Sequence, residues 1–158
     1  MPDICIIILK QDDMKKIMML FLSVLLIGTT AKADDKPIEY SKLPQQSQTF
    51  ITKYFPGKTI ALVKMDKELF DASYEVIFSD GNKVEFDKKG NWKDIDCTYT
   101  ELPSALVPAQ IRNYVSKNYP NIKIDKIEKE SRGRISVELS NDVELLFDSA
   151  FKLIDIDN

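Results

Sequence analysis

The chain contains no histidine. This absence excludes Ser-His-Asp and Cys-His catalysis, zinc sites with imidazole ligands and an imidazole pH switch. Only two cysteines are present, Cys5 and Cys97, too few for a four-cysteine zinc site or an iron–sulfur cluster. The 158 residues carry a formal net charge of −3, so the concentrated basic stripe of a nucleic-acid-binding protein is also missing. We therefore expect no cofactor and no nucleic-acid partner.

The composition is that of an ordinary globular protein. Hydrophobic residues make up 44% of the chain and charged residues 30%, which is neither a disordered nor a fibrous composition. The length corresponds to one domain, or to two very small ones.

The first 33 residues have the pattern of a secretory signal peptide. Met14-Lys15-Lys16 is basic, Ile17 to Gly28 is apolar, and Ala31-Lys32-Ala33 is an A-x-A cleavage sequence. The apolar run is shorter than the about 20 residues of a membrane span. We expect cleavage after Ala33, a start at Met14, and residues 1–13 to be an over-extended reading frame. The product is then periplasmic or secreted, without a membrane anchor.

The rest of the chain repeats itself after a short segment, 34–42, that we expect to be flexible. Repeat 1 covers residues 43–100 and repeat 2 covers residues 101–158. The matching positions include Leu43-Pro44 with Val107-Pro108, Phe55-Pro56 with Tyr119-Pro120, Val63 with Ile127, Tyr74–Ser79 with Ile135–Ser140, Phe86-Asp87 with Phe147-Asp148, and Ile95-Asp96 with Ile156-Asp157.

Each repeat predicts one helix followed by four strands. Apolar residues follow helical spacing after Pro44 and after Pro108, and Pro56 and Pro120 end the two helices. The apolar period then changes to two, with turn sequences such as Asp80-Gly81-Asn82 between the runs. A four-stranded meander must bury one face against its helix. The predicted fold is α+β, with two tandem helix-plus-four-strand repeats, about eight antiparallel strands, and both helices on one face.

These residues carry a family resemblance. The runs Phe50–Pro56, Tyr74–Gly81, Val84–Trp92 and Tyr114–Pro120 look like the PepSY-like exported proteins of Bacteroides-type bacteria. That family resembles the β-lactamase inhibitory protein in fold. The second repeat departs from the pattern, because it lacks the Asp-Gly turn and has Leu153 where the first has Trp92. The resemblance implies a binding or inhibitory module and supplies no catalytic residue.

Carboxylates are the candidate catalytic or metal-binding groups. Most of them fall at predicted turns or strand ends, where aspartate commonly caps the backbone. The set consists of Asp80, Asp87, Asp94, Asp96, Asp155 and Asp157. Ser79–Asn82 lacks the alternating oxygen ligands of a calcium loop, because Lys83 follows at once. We expect neither an enzyme nor a metal site. Cys97 is expected to be a small hydrophobic residue, since no histidine activates it.

The candidate protein-binding residues are Tyr99, Trp92, Phe70, Glu75, Ile77 and Glu138. Tyr99 lies in the linker between the repeats, and aromatic residues are common binding hot spots. Trp92 opens a predicted strand and corresponds to Leu153, which favours partial burial in the core over a place in a binding surface. Phe70 lies in a charged loop that either recognises a partner or tucks under the sheet edge. The open sheet face is predicted to carry Glu75, Ile77, Lys83, Glu85, Ser136, Glu138, Glu144 and Leu146.

The sequence therefore favours an exported, non-catalytic protein, a monomer or weak dimer, that binds or inhibits another envelope protein or peptide. The alternative is a small-molecule or metal-ion-binding periplasmic protein, using a cleft between helices and sheet or an acidic cluster near Asp94, Asp96 and Asp155. A structural envelope component without a specific ligand is a third interpretation.

Overall fold

Alternating apolar and polar residues build one large antiparallel sheet. The computed structural model describes residues 36–67 and 72–157. The strands follow one another in chain order across the sheet, and every neighbouring pair is antiparallel. They are β1 (Lys36–Pro37), β2 (Ile60–Lys67), β3 (Ala72–Phe78), β4 (Lys83–Asp87), β5 (Trp92–Asp96), β6 (Ile124–Lys129), β7 (Ile135–Leu139), β8 (Glu144–Phe147) and β9 (Leu153–Asp157).

Two α-helices interrupt the succession of strands. They are α1 (Gln45–Tyr54), before β2, and α2 (Ala109–Asn118), before β6. Each follows a proline, Pro44 or Pro108, whose fixed φ suits the start of a helix. Three 3₁₀ turns cover Tyr40–Lys42, Ser104–Leu106 and Ser131–Gly133. The α+β class and the antiparallel sheet are confirmed.

The sheet has nine strands, whereas the sequence predicted about eight. The extra strand is β1, in which Lys36 pairs with Met65 and Pro37 with Lys64. Of the segment 34–42, expected to be flexible, Lys36–Pro37 form this strand and Tyr40–Lys42 form a 3₁₀ turn. The physical reason is the outer edge of β2, whose backbone groups need partners. The amide of Ile38 donates a hydrogen bond to the carbonyl oxygen of Val63 over 2.9 Å.

One row of aliphatic side chains crosses almost the whole sheet. Each member lies directly opposite the next, so all of them share one face. All are at most 4% exposed. The row consists of Val63, Val76, Val84, Ile95, Ile127, Val137 and Leu145.

Both helices contact the face that carries this row. The Phe50 ring of α1 lies edge-on to Phe86 of β4, with ring centroids 5.6 Å apart. The Tyr114 ring of α2 makes the same contact with Phe147 of β8, also at 5.6 Å. Phe86 and Phe147 each lie two positions from a residue of the aliphatic row, and therefore on the same face. The opposite face, called the open face below, carries no α-helix of the described residues.

The predicted signal peptide, residues 1–33, lies outside the described residues. In the part of the chain that is described, no helix has the length and apolar character needed to cross a membrane.

Candidate functional site

The open face consists of two parallel rows of side chains running from β2 to β9. One row contains Lys64, Glu75, Glu85, Asp94, Glu128, Ser136, Leu146 and Asp155. The other contains Leu62, Ile77, Lys83, Asp96, Lys126, Glu138, Glu144 and Asp157. Because directly opposed residues share a face, each row is continuous across the sheet. All eight residues predicted for this face lie on it.

Carboxylates outnumber lysines on the open face, and the middle of the face shows the imbalance most clearly. The ammonium nitrogen of Lys126 lies 3.5 Å from Oδ1 of Asp94 and 3.8 Å from a carboxylate oxygen of Glu128. Asp96 and Glu138 flank the same lysine on the two neighbouring strands. One positive charge therefore stands among four negative ones.

Burial changes the ionisation of the central pair. Desolvation raises the pKa of Asp94 to about 6, against the opposing attraction of Lys126, and the nearby charge of Glu128 raises it further. For Lys126, burial alone would lower the pKa, but the neighbouring carboxylates Asp94 and Glu128 outweigh it and the pKa is raised. The centre of the open face thus holds a strongly basic ammonium and a carboxylate that is costly to ionise.

Local contacts hold several other polar side chains of the open face in place. Lys64 pairs with Glu75 over 3.1 Å. Ser136, which is buried, donates a hydrogen bond to Glu144 over 2.5 Å.

A depression of about 40 Å³ lies between Lys126, Glu128, Ser136, Glu138 and Glu144. This volume is far below the about 300–1,000 Å³ of a small-molecule pocket. The shallow surface therefore suits a macromolecule better than a small ligand.

Three of the six predicted binding residues lie on the open face, although they are not close together. Glu75 and Ile77 are on β3 of the open face, and Glu138 is on β7 of the same face. Four strand spacings of about 4.8 Å separate β3 from β7, so Glu138 lies roughly 19 Å from the other two residues. A partner must cover most of the sheet width to contact all three.

The other predicted residues lie elsewhere. Trp92 pairs with Phe86, on the face covered by the helices, and packs against the core. Tyr99 is 74% exposed, and its ring covers Gly81 in the turn between β3 and β4. Phe70 lies outside the described residues. Trp92 and the open-face residues therefore do not form one surface.

The acidic cluster expected near Asp94, Asp96 and Asp155 is not formed, and this prediction was wrong. Asp94 and Asp96 are on β5, whereas Asp155 is on β9, four strand spacings or about 19 Å away. In residues 36–67 and 72–157, no group of three or more His, Cys, Asp or Glu side chains is arranged to hold a metal ion.

Several other carboxylates cap turns, as predicted. Asp87 accepts hydrogen bonds from the amides of Lys89 and Asn91, over 2.8 and 2.9 Å. Burial alone would raise the pKa of Asp87, but its hydrogen bonds lower it. Asp80 pairs with Lys58 and accepts a hydrogen bond from the amide of Asn82. These carboxylate oxygens thus accept hydrogen bonds from backbone amides of the hairpin turns.

Cys97 is fully buried. Burial raises the pKa of its thiol to about 12, so the thiolate is scarce at neutral pH. Its place in the core agrees with the expected hydrophobic role.

The central position of Asp94, Lys126 and Glu128 on the open face was not predicted from the sequence. Alternation within β5 and β6 could have indicated their common face. Their proximity depends on the register between β5 and β6, which pairs Asp94 with Glu128. A 27-residue separation including α2 gives no turn signal for that register.

Comparisons with known proteins agree with this architecture. The family profile described as "Putative beta-lactamase-inhibitor-like, PepSY-like" matches residues 72–155. A search of curated proteins finds no match.

Solved structures of Bacteroides proteins are also similar. A "putative periplasmic protein" from Bacteroides vulgatus is 49% identical, with a TM-score of 0.76, over 80% of this chain and 99% of the other. A "putative calcium-regulated periplasmic protein" from Bacteroides thetaiotaomicron is 52% identical, with a TM-score of 0.76, over 79% of this chain and 98% of the other. These descriptions support a periplasmic location. On the family match and these identities, the chain belongs to the PepSY-like, β-lactamase-inhibitor-like family.

Proposed function

We propose that the protein is a non-catalytic binding module of the bacterial envelope, and that its open face binds a basic surface of another protein or a peptide. The observation that carries this proposal is the pair of continuous, carboxylate-rich rows across β2–β9. Complementary charge would steer such a partner to the face and fix its register. The family description, which includes inhibitor-like, supports a target that is itself a protein.

The dimensions of the open face support a protein partner. Seven spacings of about 4.8 Å separate β2 from β9, so the face is about 34 Å wide. An interface of standard size buries about 800 Å² on each partner, which requires a surface of this extent. Lys64, Ile77 and Lys126 would supply aliphatic surface between the carboxylates.

The proposed route to the envelope is the signal peptide, cleaved after Ala33. We also propose that the two helix-plus-four-strand halves arose as a tandem repeat. Val63 and Ile127, which correspond in the sequence, occupy the same buried row.

Site-specific photocrosslinking tests the binding proposal. A photoreactive amino acid at Ile77 or Glu138 would report on the open face, and one at Thr52 or Gln110 on the exposed sides of the two helices. We expect one envelope protein to crosslink from both open-face positions and from neither helix position. Crosslinking from the helix positions alone, or from none of the four, would contradict the proposal.

A cation-responsive protein is a second candidate function. The observations favouring it are the excess of open-face carboxylates and the solved relative described as calcium-regulated. Thermal unfolding with and without calcium tests it, because a cation at 100 times its dissociation constant stabilises by about 2.7 kcal/mol. A calcium-dependent rise of several degrees in Tm would favour this candidate, and an unchanged Tm would eliminate it.

A further inference from the structure

A groove lies on the helix side of the sheet, away from the open face. It has a volume of about 480 Å³, and residues of α1, the β4–β5 turn, β5 and β6 line it. Its aromatic surface comes from Phe50, Tyr54 and Trp92, with the Phe50 and Tyr54 ring centroids 4.7 Å apart. The volume is within the range of small-molecule sites, which are mostly apolar with a few polar groups.

The charged residues lining the groove are both lysines. The ammonium nitrogen of Lys129 lies 3.8 Å from the centroid of the Trp92 ring, and that of Lys53 lies 4.8 Å from the centroid of the Tyr54 ring. Within the described ranges, no carboxylate forms an ion pair with either ammonium group. Both lysines are exposed, so a soluble anion can reach them. In a chain with a net charge of −3, this groove is a local concentration of positive charge.

Lys129 is an unusual residue for its position. It follows Ile127 by two residues on β6 and therefore faces the helix side of the sheet. The corresponding residue of the first half is Met65, an apolar side chain that needs no counter-charge. Burial lowers the pKa of Lys129, and Asp87 only partly opposes this effect. A bound anion would add a negative charge to that of Asp87.

We propose that this groove binds a small organic carboxylate whose ring lies against the aromatic side chains while its carboxylate pairs with Lys129 and Lys53. A ring packed beside Phe50, Tyr54 and Trp92 buries apolar surface and leaves both ammonium groups in place, and hydrogen bonds from ammonium groups to a carboxylate are charge-assisted. The shared chemistry, a carboxylate on a flat or sugar ring, fits an aromatic acid or an acidic sugar. Asn91 and Gln46 also line the groove, and the amide of Gln46 donates a hydrogen bond to that of Asn91 over 2.7 Å. Their remaining donors and acceptors can orient the ring.

The fluorescence of Trp92 reports directly on the groove, because it is the only tryptophan of the chain. Two matched pairs of probes separate charge from shape: phenylacetate with phenylacetamide, and glucuronate with glucose. We expect a saturable change in fluorescence with at least one carboxylate below about 10 mM, and none with its neutral partner. The pair that responds identifies the ring as aromatic or saccharide.

Variants of the two lysines test whether the change in fluorescence arises from binding in the groove. Lys129→Met and Lys53→Met should each weaken binding about tenfold, the effect of losing one charge-assisted contact. Lys117→Met is the control, because Lys117 occupies on α2 the position that Lys53 occupies on α1. Circular dichroism melts confirm that each variant is folded. The proposal is overturned if neither carboxylate binds, if the neutral analogues bind equally well, or if Lys117→Met weakens binding as much as the groove variants.

Discussion

Ile95 on β5 lies directly opposite Ile127 on β6, and both side chains are completely buried. This pair joins the strands that follow α1 to the strands that follow α2. Because the aliphatic row continues through it from Val63 to Leu145, the two halves share one core. Neither half can expose its edge at this junction without exposing part of that core.

Substitution of Ile127 should therefore destabilise the whole domain. We expect Ile127→Ala to lower the free energy of unfolding by about 3 kcal/mol, because it removes a buried side chain and leaves a cavity. Urea unfolding followed by Trp92 fluorescence and by far-ultraviolet circular dichroism should give coincident transitions. Ile154→Ala is the control and should cost less than about 0.5 kcal/mol, since Ile154 is 48% exposed. Separate transitions for the two probes would show that the halves unfold independently.

Asp94→Asn should stabilise the protein at neutral pH and lose its effect in acid. The pKa of Asp94 is about 6 in the folded protein and about 3.9 when unfolded, so the folded state binds more protons between these values. The contribution of Asp94 to stability consequently falls as the pH rises from 4 to 6. At pH 7.5 we expect Asp94→Asn to raise the free energy of unfolding by about 1 kcal/mol, after allowance for solvent screening. Near pH 4 the two proteins should have the same free energy of unfolding.

Urea unfolding of both proteins at the two pH values measures this difference. Asp155→Asn, an exposed carboxylate of the same face, should show no such pH-dependent gain. A stabilisation by Asp94→Asn that is equal at both pH values would contradict the assignment to ionisation.

Gly90, in the β4–β5 turn, lies in close contact with the start of α1. Its φ is +89°, and an added Cβ would lie 2.9 Å from both Cβ of Pro44 and Oγ of Ser47. Gly90→Ala should lower the free energy of unfolding by about 3 kcal/mol, because backbone strain and displacement of the helix add together. Gly57→Ala is the matched control, since Gly57 has a φ of +74° but open space around it. Gly57→Ala should lower the free energy of unfolding by only about 1 kcal/mol. Equal losses of Tm for the two variants would contradict the close approach at Gly90.

The order of helices and strands could be predicted because hydrophobic periodicity marks them directly. The strand β1 could not, since Lys36–Pro37 is two residues long and has no alternation to detect. Its existence depends on the edge of β2, a tertiary feature. Alternation within the strands also predicted the eight residues named for the open face, all of which lie on it.

Contacts between distant segments could not be predicted from periodicity. Lys129 ends β6 on the helix side and covers Trp92, a contact between residues 37 positions apart that no local pattern indicates. Asp94 and Lys126 come together through the β5–β6 register across an intervening helix. Trp92 is on the opposite face from Glu75 and Glu138 because the β-bulge between Glu85 and Phe86 shifts the β4–β5 register.

The central claim, that the open face binds a partner, is tested most directly by crosslinking capture from envelope extract with charge-reversal variants. The tagged protein, residues 34–158, is compared with Glu75→Arg/Glu138→Arg on the open face and with Gln110→Arg/Asn113→Arg on the exposed side of α2. We expect one partner to be captured by the unmodified protein and the α2 variant, and lost with the open-face variant. Equal capture by all three proteins, or loss with the α2 variant alone, would contradict the claim.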